Sequence, residues 1–444
     1  MTISRSICLG FMAVILTGAM LLMLPLSTGS GHWNDPIVAL FTATSAVCVT
    51  GHVVVDTATH FSRIGQAVIM LLIQVGGLGY MTVTTFLLLL LGRRFALKEK
   101  VAIQQALDRK ALHGSRQVLL SIISVTLIFE LTGAFALLWV FVPDVGWPKG
   151  LWFALFHSVS AWNNAGFALF SDNLVGYQGA VLLNVAITGL IVFGGIGYEV
   201  IFELYLLLQE RALGQKMRTV RSLNFRVAVS TTLFLLVGGT LAIWLIEMRN
   251  GKTLGLLTWS QQLLAAWFQS VTSRTAGFNT IDIGQMTTAG LFITIALMMV
   301  GGSPGGTAGG IKTTTARVLT SCTWSILQGK EYVLLYERQV PISLILKAIG
   351  VTVGSFATVV VSTILIALAD PSLDFIRILF EVVSAFGTVG LSTGITANLT
   401  VFSKLVLVAT MYIGRVGILL FIGALLGDPR LSSIHYPEES LLVG

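Results

Sequence analysis

Long apolar segments alternate with short polar segments along the whole chain. Eight apolar segments stand out, at about 7–27, 63–92, 117–142, 178–209, 226–247, 288–318, 341–369 and 400–427. Each has about 20 residues or more, enough for an α-helix to cross roughly 30 Å of hydrocarbon at about 1.5 Å per residue. The pattern therefore predicts an all-α membrane protein with eight transmembrane helices.

A shorter amphipathic stretch lies between the two apolar segments of each successive pair. The four stretches are at about 35–48, 149–163, 258–273 and 373–386. They are too short to cross a bilayer, and a loop containing glycine follows each of them. Non-helical backbone at membrane depth is tolerated only where it is buried in protein or lines a water-filled cavity. We therefore predict four re-entrant pore helices, each followed by a pore loop.

The four loops carry related sequences, so the chain contains an internal repeat. The related segments are Ser45–Gly51, Ser160–Gly166, Val271–Gly277 and Ser384–Gly390. Their last glycines follow one another at intervals of 115, 111 and 113 residues, and a near-constant period is the signature of a repeated structural unit. A glycine-rich break interrupts the apolar segment after each loop, at Gly76–Gly79, Gly194–Gly197, Gly301–Gly305 and Gly414–Gly417.

This period predicts a pseudo-four-fold protein made of helix–pore loop–helix units. We place repeat 1 at 1–95, repeat 2 at 96–212, repeat 3 at 213–330 and repeat 4 at 331–427, followed by a cytosolic C-terminal tail at 428–444. Each unit crosses the membrane twice, so all four have the same orientation. An ion-coupled secondary transporter with alternating access is the alternative, although such folds usually contain two inverted repeats.

Composition agrees with a membrane protein and disfavours other classes. The chain is 55% hydrophobic and only 11% charged, whereas a soluble domain has roughly 25% charged residues. The net charge of +7 does not indicate a nucleic-acid partner, because the basic residues lie between apolar segments. Cys8, Cys48 and Cys322 show neither metal-ligand nor disulfide spacing. No His/Asp/Glu or Cys/His group predicts an enzyme.

Lysine and arginine are concentrated in alternate loops. There are seven in 93–116, five in 211–226 and four in 317–347, but none in 30–62 and one in 143–177. Loops rich in these residues stay on the cytosolic side. We therefore predict a multi-pass protein of the cytoplasmic membrane whose termini are both cytosolic and whose pore helices enter from outside.

The pore loops have the chemistry of a cation filter. A ring of backbone carbonyls can replace the water shell of an ion, and glycine permits the backbone angles that this requires. One such glycine is most simply explained by helix packing, but four in matched register favour a filter. We predict that a small cation, with potassium favoured, is bound by Val49, Thr50, Gly51, Asn164, Ala165, Gly166, Thr275, Ala276, Gly277, Thr388, Val389 and Gly390.

Acidic residues follow three of the loops. Asp56, Asp172 and Asp282 lie five or six residues after the glycine, whereas Ile395 has that position in the fourth repeat. We predict that these acids form an outer vestibule that concentrates cations. The alternative is that they are ordinary solvated loop residues.

Charged residues inside the apolar segments are further candidates. Arg415 stands where the other breaks have glycine, and a lone arginine deep in a span is a functional hypothesis by default. We predict that it lies below the filter, pairs with the gate loop or an acid, and repels a cation in the closed state; the alternative is a structural arginine satisfied by helix ends. For Glu130 and Glu199, structural pairing inside the bundle is favoured over ion coupling or a proton relay.

The chain resembles a known family over essentially its whole length, and two motifs are the most specific part of this resemblance. Ser270–Thr280 reads Ser-Val-Thr-Ser-Arg-Thr-Ala-Gly-Phe-Asn-Thr, and Glu381–Thr393 reads Glu-Val-Val-Ser-Ala-Phe-Gly-Thr-Val-Gly-Leu-Ser-Thr. Together with the four units, they resemble the Trk/Ktr/HKT superfamily of potassium transporters, and within it the KtrB-type membrane subunits. In plant relatives, serine at the first loop glycine accompanies sodium transport, so Gly51 favours potassium.

This resemblance implies properties that the spacing does not show. It implies potassium uptake that sodium stimulates, a homodimer with one pore in each protomer, and control by a KtrA-like cytosolic ring of nucleotide-binding subunits. Potassium, with sodium as a second ion, would occupy the pore without a covalently bound cofactor. The break in repeat 3 would form an intramembrane gate loop, with polar contacts from Thr313 and Thr314; a packing kink is the alternative. The gate residues implied are Gly305, Gly306, Thr307, Gly309, Gly310, Lys312 and Arg415.

Overall fold

The computed structural model describes residues 3–79, 115–214 and 221–427. Four sequence-based predictions fall wholly or partly outside these residues. They are the tail 428–444, most of the basic stretch 93–116, residues 215–220 of the basic stretch 211–226 and the second half of the span 63–92.

The described chain is mostly helical, and its helices recur in the order outer helix, pore helix and inner helix. The first group is α1 (Ile3–Met23), α2 (Pro36–Val47), α3 (Thr57–His60) and α4 (Arg63–Leu78). The second is α5 (Ser115–Val145), α6 (Trp147–Trp162), α7 (Val181–Ile196) and α8 (Tyr198–Ala212). The third is α9 (Leu223–Glu247), α10 (Trp259–Thr272), α11 (Thr288–Met299) and α12 (Thr313–Leu327). The fourth is α13 (Ile342–Ala369), α14 (Phe375–Gly387), α15 (Val401–Val416) and α16 (Ile418–Leu426).

Short elements join these helices. Single 3₁₀ turns lie at Pro25–Ser27, Val175–Tyr177, Ile283–Gln285 and Thr396–Asn398. Two-residue strands β1 (Leu334–Leu335) and β2 (Arg338–Gln339) pair antiparallel between α12 and α13.

The pore helices α2, α6, α10 and α14 begin and end within about two residues of their predicted bounds. Local capping chemistry explains this agreement for two of them. The side chain of Asp35 accepts hydrogen bonds from the backbone N–H of Ile37 at 2.7 Å and Val38 at 3.2 Å, and Pro36 follows it at the first helical position. Thr258 and Gln261 form a capping box at the start of α10.

Two of the predicted spans are sharply bent. The span predicted at 178–209 is α7 and α8, which are bent by 105° at Gly197, and that at 400–427 is α15 and α16, which are bent by 98° at Gly417. Both glycines have φ of at least +90°, a conformation that other residues rarely adopt. The sequence predicted a break at these glycines but not a turn of about 100°.

A third span is interrupted rather than bent. The apolar segment 288–318 contains α11 up to Met299, then non-helical backbone at 300–312, then α12. Glycines and Pro304 in this stretch disfavour a helix, as the sequence predicts. Among the described residues, four helices are long and apolar enough to cross a membrane alone, or six if each bent pair is one span. The count of eight spans therefore stays a prediction.

The core surrounds the pore helices, and the outer helices turn apolar side chains outward. Each pore helix fully buries a phenylalanine, namely Phe41, Phe156, Phe268 and Phe380. Helices α5, α9 and α13 instead expose large apolar residues, among them Phe135, Phe234 and Phe356. A water-soluble protein rarely exposes apolar surface on this scale, so the outer helices are suited to contact lipid.

Candidate functional site

The four loop glycines meet in a closed ring. All have positive φ, at 84° for Gly51, 69° for Gly166, 79° for Gly277 and 88° for Gly390. A Cβ atom on any of them would collide with the carbonyl oxygen just before the glycine of the next loop: Ala165 for Gly51, Ala276 for Gly166, Val389 for Gly277 and Thr50 for Gly390. Each loop thus packs against the next, the fourth closes on the first, and only glycine fits.

The residue two positions before each glycine is also left-handed. These residues are Val49 (φ 49°), Asn164 (φ 56°), Thr275 (φ 70°) and Thr388 (φ 51°). Such angles are strained for non-glycine residues, and most of all for β-branched ones such as Val49. Recurrence of the same strained conformation in all four loops shows that their backbones are equivalent, and the surrounding core must hold it in place.

Hydrogen bonds to the last turns of the pore helices fix the loops. In three loops the residue before the glycine donates its N–H to the carbonyl of a serine five residues earlier: Thr50 to Ser45 at 2.8 Å, Ala165 to Ser160 at 2.7 Å and Val389 to Ser384 at 2.8 Å. In the third, Ala276 donates to Thr272 at 3.0 Å. These bonds use carbonyls that the helix ends leave without intrahelical partners.

The segment 300–312 fits against the break in the second inner helix. Ser303 donates its N–H to the carbonyl of Gly195 at 2.9 Å, and Thr307 donates to that of Gly194 at 3.1 Å. Both carbonyls belong to the last turn of α7, where the chain bends away. The segment is therefore a docked main-chain element, and the helix break supplies its acceptors.

The same segment touches the ring. A Cβ atom on Gly310 would lie 3.3 Å from the Cα of Gly387, and one on Gly309 would collide with the side chain of Thr388. The structure thus brings the predicted gate residues directly against a predicted filter residue. Small side chains are required because the two backbones approach so closely.

Arg415 joins three repeats. Its guanidinium donates to the carbonyl of Thr307 in the segment 300–312 and to that of Gly76 in the last turn of α4, with a weaker contact to Gly77 at 3.5 Å. Of the partners weighed for this arginine, which were the gate loop, an acid and helix ends, the gate segment and a helix end are the ones that it contacts. The negative end of α4 offsets part of the cost of its buried charge.

A cavity of about 400 Å³ lies beside this arginine. It is lined by Pro304–Ala308, Lys312, Arg415 and apolar residues that include Phe11 and Ile122. The ammonium group of Lys312 donates to the carbonyl of Ala308, so this second cation is also tied to the segment 300–312. Two basic side chains, Arg415 and Lys312, therefore stand at the cavity wall.

Comparison with known proteins assigns the chain to a family. The model of the TrkH family, described as cation transport protein, matches residues 11–424. The chain belongs to the TrkH family. It is 38% identical over 99% of its length to "Ktr system potassium uptake protein B" of Vibrio alginolyticus, and the match covers 94% of that protein. The protein of the same name from Bacillus subtilis is also 38% identical over 99% of this chain, and the match covers 96% of it. The chain is also 38% identical to "Potassium/sodium uptake protein NtpJ" of Enterococcus hirae, covering 99% of this chain and 96% of that protein.

A solved structure shares the fold of this TrkH-family protein. The potassium transporter TrkH from Vibrio parahaemolyticus superposes with a TM-score of 0.70 at 17% sequence identity, covering 95% of this chain and 85% of that one. The predicted membrane fold and the resemblance to Trk and Ktr proteins are confirmed. Membership of a cation transport family also confirms the prediction of a transporter rather than an enzyme.

In this TrkH-family protein the three candidate vestibule acids cap short turns. Asp56 accepts from the N–H of Ala58 at 2.8 Å and from the hydroxyl of Ser171 at 2.5 Å. Asp172 accepts from the N–H of Gly176 at 3.2 Å, and Asp282 from that of Gly284 at 2.9 Å. Since Asp172 and Asp282 are exposed, capping leaves their charges in contact with solvent. Their vestibule role stays a prediction.

The two glutamates differ in their surroundings. Glu130 is buried on α5 and accepts from the side-chain amide of Asn163 at 3.1 Å, which also donates to Gln74 at 2.9 Å. This is structural pairing inside the bundle. Glu199 lies in the first turn of α8, directly after the bend at Gly197.

Sequence reasoning gave no role to two buried charged residues of the quoted motifs. Arg274 is 7% exposed and donates to the carbonyl of Gly301 at 2.9 Å, which connects the third loop to the start of the segment 300–312. Glu381 is 1% exposed and supports the chain after the fourth loop. The signal was available, because each is a charged residue in a mostly apolar helix or loop, as Arg415 is.

Proposed function

We propose that this protein takes up potassium across the cytoplasmic membrane through a pore whose selectivity filter is the ring of four loops. The ring is the observation that carries the proposal. Four equivalent main-chain loops meet at four glycines, and such an arrangement can present carbonyl oxygens to a dehydrated cation. Two relatives named as potassium uptake proteins support potassium as the ion.

Segment 300–312 and Arg415 form the gate in this proposal. The segment lies against Thr388 and Gly387, and the arginine ties it to α4. A cation that leaves the filter would meet the positive charge of Arg415, which disfavours its passage while these contacts persist. Opening therefore requires that the segment leaves the carbonyls of Gly194 and Gly195.

Further properties belong to the proposal. Sodium stimulates uptake, two protomers with one pore each form a homodimer, and a KtrA-like ring of nucleotide-binding subunits acts from the cytosol. Both termini are cytosolic, and Asp56, Asp172 and Asp282 concentrate cations at the outer entrance. The printed name of the relative from Enterococcus hirae, a potassium/sodium uptake protein, supports sodium as a second ion.

Expression in a bacterium that lacks its own potassium uptake should restore growth at low potassium. The proposal expects rescue that increases with sodium and with a KtrA-like partner, because both favour the open pore. Growth rate against potassium concentration is the measurement, with an empty vector as the control. Failure to rescue with any partner would contradict potassium uptake.

Replacement of Glu130 separates a pore from an ion-coupled secondary transporter. Glu130→Gln should keep the wild-type potassium uptake rate and its pH dependence, because glutamine has the same shape and its carbonyl still accepts from Asn163. The measurement is the initial uptake rate in liposomes between about pH 6 and pH 8, which is roughly the range where groups titrate at physiological pH. Loss of uptake or of its pH dependence in this variant would favour proton coupling and alternating access.

A further inference from the structure

The residue after the loop glycine is different in the first repeat. Phe167, Phe278 and Leu391 follow the other three glycines and are buried apolar residues. His52 follows Gly51 and is fully buried. A polar ring in this position costs free energy unless it has partners, so its contacts are informative.

His52 contacts the pore helix of the fourth repeat rather than its own. Its Nε2 lies 2.9 Å from the hydroxyl oxygen of Ser384. That oxygen accepts the N–H of the loop glycine Gly390 at 3.1 Å, so its own proton is available to Nε2. In the tautomer that carries the ring proton on Nδ1, Ser384 donates this hydroxyl proton to Nε2. A chain of two hydrogen bonds connects the first loop with the glycine of the fourth.

The second ring nitrogen faces a carboxylate. Nδ1 of His52 lies 3.3 Å from Oε2 of Glu381, within ion-pair distance but without the geometry of a hydrogen bond. Glu381 accepts the N–H of Thr393 at 2.8 Å and the hydroxyls of Ser392 at 2.7 Å and Thr396 at 2.8 Å. His52 thus contacts Ser384, which supports the filter glycine Gly390, and Glu381, which holds the chain that follows this glycine.

Repeat 2 contains half of this arrangement. His157 has the position of Glu381, nine residues before the glycine, and its Nε2 accepts the N–H of Leu169, three residues after it, at 3.2 Å. Thr393 and Glu381 make the same bond in repeat 4. Support of a loop by its own pore helix therefore occurs in both repeats, whereas the link to another repeat through His52 is an addition in the first.

The position of this link is where the ring closes. Repeats 1 and 4 are the two ends of the chain, so no connecting segment joins their loops directly. Non-covalent contacts alone hold this junction, and among them His52 hydrogen-bonds from the first loop to the pore helix of the fourth. A ring of carbonyls distinguishes ions of different size or field strength only while the loops keep their spacing.

We propose that His52 is a specificity-determining residue that holds the first loop against the fourth through Ser384 and Glu381, and so sets the preference of the pore for potassium over sodium. This inference rests on the proposed filter. Removal of the link leaves all four glycines and their carbonyls in the chain but frees one junction of the ring. Sodium should therefore gain relative to potassium, while total ion flux persists.

The test compares potassium and sodium flux through the purified full-length protein in liposomes. His52→Leu, which installs the residue type of the fourth repeat, should lower the potassium-to-sodium flux ratio about tenfold, the effect of losing one buried hydrogen bond from the filter. Ser384→Ala removes only a hydroxyl and should lower the ratio in the same direction. His52→Gln can place its amide oxygen near the position of Nε2, where it accepts from the Ser384 hydroxyl, and should keep most of the ratio.

Phe167→Leu is the matched control, since it removes buried volume at the same loop position without a link to another repeat. It should keep the wild-type ratio. A wild-type ratio in His52→Leu or in Ser384→Ala overturns the inference, and so does an equal loss in Phe167→Leu. If His52→Leu does not fold, His52→Phe, which installs the residue type of repeats 2 and 3, takes its place and should lower the ratio in the same way. Wild-type protein without potassium flux would overturn the proposed function itself, and this inference with it.

Discussion

Gly277→Ala is expected to abolish potassium uptake. Gly277 has φ 79°, and a Cβ atom would lie 2.5 Å from the carbonyl oxygen of Val389 and 3.1 Å from the Cα of Gly166. A left-handed alanine alone costs about 1–3 kcal/mol, and the oxygen that it displaces is one of those proposed to bind the ion. We expect an uptake rate at least about a hundredfold lower, since a filter distorted by about 3 kcal/mol loses that factor.

The measurement is the initial rate of potassium uptake per amount of folded protein. Gly238→Ala is the matched control, because Gly238 lies on the exposed face of α9, and a methyl group there would have no heavy atom from elsewhere in the described chain within 4 Å. Alanine there should keep the wild-type rate and stabilise the helix by up to about 1 kcal/mol. Wild-type uptake by Gly277→Ala would contradict a filter at the ring.

Arg415→Ala is expected to raise basal cation flux and weaken its control. The guanidinium holds the segment 300–312 to α4, and its charge opposes a cation beside the cavity. Its removal loses both effects, so we expect flux without the regulatory partner to rise about tenfold, which corresponds to about 1.4 kcal/mol of closed-state stability. Flux in liposomes with and without a KtrA-like partner is the measurement.

Arg415→Lys is the informative comparison for this prediction. Lysine keeps the charge but cannot donate from one planar group to the carbonyls of Thr307 and Gly76 together. If the charge alone opposes the ion, this variant should resemble the wild type; if the bridge matters, its flux should lie between those of wild type and Arg415→Ala. Unchanged uptake kinetics in Arg415→Ala would remove this arginine from the gate.

Local chemistry made several features predictable. The pore helices were placed within about two residues, since short amphipathic stretches, caps and following glycines all act over a few neighbouring positions. The loop glycines were found through their period, and the interruption at 300–312 through its glycines and Pro304. These signals need no knowledge of which segments meet.

Other features depend on segments that are distant in the chain. The sequence predicted breaks at Gly197 and Gly417, but their turns of 105° and 98° reflect what packs beside them. Arg415 was singled out as a lone charge, yet its contacts with Thr307 and Gly76 cross more than a hundred residues. His52 departs from the apolar residues at its loop position, but its partner Ser384 is 332 residues away and could not be named from the sequence.

The sequence by itself determined a membrane protein of four related units, each with a pore helix and a glycine loop. Periodicity, hydrophobic length and capping are local properties, and they repeat wherever the sequence repeats. Only the tertiary structure decided that the glycines close into one ring and that the segment 300–312 lies against the fourth loop of this ring. It also decided that His52 connects the loop of repeat 1 with the pore helix of repeat 4. Those facts follow from close packing between repeats, where a carbonyl of one loop occupies the space that a side chain of another would need.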